Sequence, residues 1–168
     1  MKELVIKQIN AKHVRKMVYV DDKPVVFSKV KNGVCEGSVK TDKESVKLTV
    51  YTFTELASPL WWLFSMLFYI ISIFGLFDPV KFKSAVMIDY LATLDLTQEN
   101  PRINLKTNYV KEGNRAIELS GNVAVLEEVN AYYLDAEIKK RIKSLKILKI
   151  AVFILFIILL LLKLSTLA

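Results

Sequence analysis

The sequence predicts a membrane protein of the α+β class. Its soluble part is β-rich, meander or sandwich-like, and it carries two apolar membrane helices, the second continuous with a basic amphipathic helix. Two observations lead there. An uncharged apolar run of 22 residues extends from Leu56 to Phe77, between Glu55 and Asp78. A second run begins at Ile150 and reaches Ala168, interrupted by Lys163 alone. About 20 apolar residues in succession match the hydrocarbon core of a bilayer. Residues 1–55 and 78–130 show instead the alternation and turn residues of strands.

The first block, residues 1–55, reads as a meander. Lys16–Val20 runs into the turn cluster Asp21-Asp22-Lys23-Pro24, and Val25–Val30 into Asn32-Gly33, a hairpin signal. Val34–Lys40 follows, and then Ser45–Phe53, where Val46, Leu48 and Val50 share one face. The second block, residues 78–130, repeats the style without repeating the residues. Ala85–Leu96 is β-prone. Ile103, Leu105, Thr107 and Tyr109 alternate on the next strand, and Glu112-Gly113-Asn114 turns the chain. Ile117 and Leu119, then Val123 and Val125, alternate about a bend at Ser120-Gly121-Asn122. Each block is small for a stable core, and the two are expected to pack together as one domain.

From Ala131 the period becomes helical, with Leu134, Ile138, Ile142 and Leu145 on one face. Residues 131–149 are expected as a basic amphipathic juxtamembrane helix, and residues 150–168 as its continuation across the membrane. Ile150–Leu162 is 13 residues with no polar side-chain atom; a snorkelling Lys163 and the residues after it bring the run close to a span. An apolar helix in this position resembles a tail anchor.

The net charge of +7 is unevenly placed. Residues 1–55 hold 11 Lys/Arg against 7 Asp/Glu, whereas residues 78–135 hold 6 against 9. Lys139, Lys140, Arg141, Lys143, Lys146 and Lys149 then form a cluster with no acid among them. Bases flanking a span mark its cytoplasmic side, so residues 78–149 are expected in the cytoplasm, most simply at the cell membrane. The same bases suit anionic lipid headgroups. No nucleic-acid-binding motif accompanies them.

The first apolar run carries a stripe of small and polar residues, Ser58, Ser65, Tyr69, Ser72 and Gly75, suited to packing against another helix or a second copy. Pro59 fits a first helical turn with Ser58 as cap. Trp61 and Trp62 are expected at the headgroup level. Lys43 and Lys47 before the run balance Lys81 and Lys83 after it, so its flanks set no orientation. Three arrangements follow: a span that puts residues 1–55 outside, a helix lying in one leaflet with both blocks on one side, or two spans with the middle block outside. The opposite charge balances of the blocks favour the second.

Residues that could carry chemistry are sparse. His13 is the single histidine and Cys35 the single cysteine, which leaves neither a two-histidine metal site nor an internal disulfide. Asp21-Asp22 and Glu127-Glu128 are sequence neighbours, which point to opposite faces of a strand and make poor acid–base pairs. Asp89 and Asp95 lie in an apolar strand, with Lys106 as a candidate partner. No cofactor is expected. The reading is a non-enzymatic accessory, regulatory or assembly subunit that presents a β-rich domain at the membrane. The alternatives are a membrane-anchored binding module for a lipid or other apolar ligand, and a component of a transport complex.

Overall fold

The computed structural model describes residues 1–9, 16–52, 54–71, 85–108 and 115–165. These fall into two compact units. The first takes residues 1–53 and 86–134, and so draws on both β-rich blocks. The second takes residues 54–85 and 135–168.

The first unit contains ten strands: β1 (Lys2–Ile9), β2 (Lys16–Val20), β3 (Lys23–Pro24), β4 (Ser28–Lys31), β5 (Val34–Thr41), β6 (Ser45–Thr52), β7 (Val86–Asp95), β8 (Arg102–Thr107), β9 (Ile117–Gly121) and β10 (Ala124–Leu134). They form two five-stranded sheets, β4-β5-β1-β8-β9 and β10-β7-β6-β2-β3. One core contains residues of both: Leu4, Ile6, Ile103 and Leu105 from the first sheet, and Val18, Val46, Leu48, Ile88, Tyr90 and Leu94 from the second. The arrangement is a β-sandwich.

Alternation builds this core. On β6, Val46, Leu48 and Val50 are buried, and on β7 they lie opposite Leu94, Ala92 and Tyr90. A large side chain facing a small one lets the inner surface interdigitate. Each buried Leu or Ile contributes about 1.5–3 kcal/mol by leaving water.

The blocks are joined twice. β6 pairs antiparallel with β7, from Ser45↔Asp95 to Tyr51↔Asp89. β1 pairs parallel with β8, from Val5↔Arg102 to Ile9↔Lys106. Residues 53–85 are thus an insertion within a β-hairpin. β10 also pairs with β7, ending at Leu134↔Val86. The insertion and the C-terminal helix therefore leave the sheet at the same end.

Turn chemistry fixes the strand order locally. Asp21 and Asp22 both have positive φ, as a two-residue primed hairpin loop requires, and join Val20 to its partner Lys23. Gly33 at φ 77° closes the turn between Lys31 and Val34. At Gly121 a Cβ would lie 2.1 Å from the Arg102 carbonyl oxygen, so only glycine fits beside β8. The neighbouring Asn122 accepts the Arg102 N–H at 2.7 Å through Oδ1 and donates to the Asn100 carbonyl at 3.2 Å.

Two expectations change. Residues 131–134 are strand, and α2 (Ala136–Ser165) begins after them. Asp135 makes the switch: its Oδ1 accepts the Ile138 N–H at 2.9 Å, an N-cap bond, while its own N–H donates to the Ala85 carbonyl. The apolar spacing of Leu134 and Ile138 bridges the two elements and imitates one longer helix. Val123 and Val125 do not share an environment either. Val123 is buried in the bend that precedes β10, whereas Val125, inside the strand, is exposed. His13, Tyr109 and the turn Glu112-Gly113-Asn114 lie outside the described residues.

Asn130 on β10 clasps the opposite sheet. Its Oδ1 accepts the N–H groups of Ala116 and Ile117 at 2.8 and 3.0 Å, and its Nδ2 donates to the Ile117 carbonyl at 2.6 Å. The side-chain amide stands in for a strand at the start of β9. Tyr90 is its opposite: fully buried, its hydroxyl has no hydrogen-bond partner among the described residues. Burial, and then the nearby Glu128 carboxylate, push the ionisation of that hydroxyl well above the ordinary tyrosine range. Asn130→Ala should destabilise the sandwich by about 2–4 kcal/mol, since it strands three backbone groups. Tyr90→Phe should change stability by less than about 1 kcal/mol. Urea unfolding of the full chain in detergent, followed by near-ultraviolet circular dichroism, compares the two.

Candidate functional site

The second unit opens with a 3-10 turn, Glu55–Ala57, and continues as α1 (Trp61–Ile71). Ser58 Oγ accepts the Leu60 N–H at 3.2 Å, and the Ser58 carbonyl accepts the Trp61 N–H at 3.1 Å, so Ser58 starts the helix. Pro59 suits the position because it has no N–H to leave unpaired. Beyond Ile71 the described chain resumes at Ala85.

The sides of α1 differ. Ser58, Trp61 and Ser65 are half-buried, whereas Trp62, Leu63, Phe64, Met66, Leu67 and Ile70 are exposed, Ile70 at 68%. The described members of the small-residue stripe thus lie on the protected side. Ser65 does not bond to a second helix; its hydroxyl donates to the Trp61 carbonyl one turn back at 2.7 Å. The Tyr69 side chain, Ser72 and Gly75 lie outside the described residues.

α2 runs unbroken for 30 residues, about 45 Å. Ile138 is buried and Ile142 and Leu145 are half-buried, on the stripe the spacing predicts. Lys139, Lys140, Lys143, Lys146 and Lys149 are exposed. From Ile150 to Leu164 the large apolar side chains are exposed almost throughout. Of the described helices, α2 alone is long and apolar enough to cross a membrane, so one candidate span stands where the sequence suggested two.

Arg141 departs from the other five bases. Its side chain is only 17% exposed. Its Nη1 donates to the Leu56 and Ser58 carbonyls, the latter at 3.3 Å, and its Nη2 pairs with Glu137 one turn earlier. The guanidinium lies over the Trp61 ring, 5.4 Å from its centroid. The planar fork reaches two carbonyls and a carboxylate at once and stacks on an indole, which an ammonium does less well. Arg141 therefore ties α2 to the start of the insertion. The sequence shows it as the one arginine in a run of lysines, at i, i+4 spacing from Glu137.

The sandwich shows little chemistry. No group of three metal-ligating side chains occurs among the described residues. Cys35 is a half-buried free thiol on β5. Lys106 pairs with Glu118 on its neighbouring strand at 2.9 Å, not with Asp89 or Asp95, which belong to the other sheet. A groove of about 400 Å³ on the first sheet is lined by Val5, Lys7, Glu36, Arg102 and Asn104, among others; its mixed polarity does not suit an apolar ligand. Lys16 on β2 bonds to the Thr107 hydroxyl on the other sheet, and burial lowers its pKa from 10.5 to about 8. Compared with known proteins, the chain matches no family model, no curated protein and no solved structure.

Two outcomes test these assignments. Arg141→Met should cost about 2 kcal/mol locally, which speeds hydrogen exchange of the amides at residues 57–64 by roughly 30-fold, and Arg141→Lys should recover part of the loss. The folded state binds the Lys16 proton more weakly than the unfolded chain. The charged lysine therefore penalises folding in full below pH 8, and the penalty fades as pH rises to 10.5. Lys16→Met should stabilise the protein at pH 7, with a gain that shrinks across that window in pH-dependent denaturant titrations.

Proposed function

We propose that this chain is a small, non-enzymatic integral membrane protein that presents a β-sandwich at a membrane surface as an accessory, regulatory or assembly subunit. The observation that carries the reading is α2. It follows β10 after a single capping residue, holds five exposed lysines in its first half, and exposes apolar side chains almost throughout from Ile150 to Leu162. Such a surface is stable in lipid and not in water.

In this reading Lys139, Lys140, Lys143, Lys146 and Lys149 face anionic headgroups, each contributing about 1 kcal/mol near the surface. They also orient the span, with the sandwich on the cytoplasmic side of the cell membrane. Arg141 is withdrawn from that role by its contacts with Leu56, Ser58 and Trp61.

The working part of an accessory subunit is the surface it offers a partner. Purification of the full chain in mild detergent should bring down a membrane partner in fixed stoichiometry. A monodisperse chain accompanied by lipid alone would contradict the subunit reading and favour a lipid-binding module. Replacing all five lysines by glutamate should invert the chain in the membrane, read by protease accessibility of the sandwich in sealed vesicles.

A further inference from the structure

The insertion between β6 and β7 has a length and attachments that together constrain how it meets a bilayer. Both of its ends join strands of one sheet, paired side by side from Ser45↔Asp95 to Tyr51↔Asp89. A segment that starts and ends on one sheet crosses a membrane an even number of times or not at all. The uncharged run within it, Leu56–Phe77, is 22 residues long. Two helical crossings need about 40 apolar residues, so the run is too short by half. A single crossing fits the length and violates the strand pairing.

The surface of α1 is nevertheless unsuited to water. Trp62, Leu63, Phe64, Met66, Leu67 and Ile70 are exposed around it, and no charged residue occurs from Leu56 to Phe77. Arg141 ties the start of this segment to the lysine-bearing half of α2, shortly before the apolar run Ile150–Leu162.

We propose that the insertion is a one-sided anchor: α1 is embedded in the leaflet on the sandwich side of an anionic bilayer, and the two strands that the insertion joins stay on that side. The protein then holds its membrane by two dissimilar elements, one crossing and one embedded. This inference rests on the reading of α2 as a span. It adds that both β blocks face the same compartment, and that Trp61 and Trp62 lie at its headgroup level.

The test uses the full chain in a Cys35→Ser background with two single-cysteine variants, Lys29→Cys on β4 and Ser120→Cys on β9, both exposed positions. Right-side-out and inverted vesicles are treated with a membrane-impermeant maleimide. The two cysteines should label in the same vesicle orientation and in that one alone. The only tryptophans of the chain, Trp61 and Trp62, should be quenched by brominated phosphatidylglycerol and shielded from iodide. Labelling of the two cysteines from opposite sides would overturn the proposal, because the insertion would then span. Tryptophans open to iodide and untouched by the brominated lipid would overturn it as well. Release of the chain by alkaline carbonate would instead remove the reading of α2 on which it rests.

Discussion

The pairing of β6 with β7 across residues 53–85 is the constraint on which the rest depends. Either β-rich block alone would leave sheet edges unpaired and bury too little apolar surface to offset the entropy of ordering the chain. Joined, they supply both faces of one core. β1 repeats the union in the other sheet, where it lies between β5 of its own block and β8 of the other. An N-terminal strand in the middle of a sheet commits the whole chain, because no subset of the sandwich closes without it.

That union also organises what leaves the sandwich. Val86 has Leu134 as its partner, so the return of the insertion and the departure of α2 are adjacent on neighbouring strands. Asp135 turns the second of these into a helix within one residue by capping it. Within the other unit, Arg141 holds the first turns after Thr54 against the second turn of α2. The guanidinium donates to the Leu56 carbonyl within the 3-10 turn and adds a second donor at the Ser58 carbonyl, which also accepts the Trp61 N–H. Its remaining valence goes to Glu137 and to the face of Trp61, which leaves the five lysines to meet the surroundings.

Much of the sandwich was legible because strand alternation is a local signal. Val46, Leu48 and Val50 on β6 and Ile103 and Leu105 on β8 are buried as their spacing predicts. The partners of those strands were not legible, since a period of two says which face is buried and nothing about which strand lies beside it. Asn130 was hidden for a related reason. An amide in a run of Val, Ala and Tyr marks an anomaly, but its targets, Ala116 and Ile117, are set by the packing of two sheets. The boundary of α2 was misplaced because Leu134 continues the helical spacing of Ile138, whereas Asp135, a good N-cap, was the stronger signal. For the membrane-facing residues, composition revealed the six bases as a group. It could not reveal that Arg141 would be turned inward, because the carbonyls that draw it lie far away in sequence.

The central claim is that both blocks remain one sandwich when the protein is in its membrane. The most direct measurement is a cross-link between Tyr51→Cys and Asp89→Cys, Cα partners on β6 and β7 with both side chains exposed, in a Cys35→Ser background within intact membranes. Mild oxidation should produce an internal disulfide in nearly all of the chain, seen as a mobility shift that dithiothreitol reverses. A control pair that moves the second cysteine to Thr93, opposite Lys47, should not cross-link to position 51. Failure of the Tyr51–Asp89 pair to bridge in membranes, with both thiols open to a permeant maleimide, would mean that the blocks are apart there, and the account would be wrong.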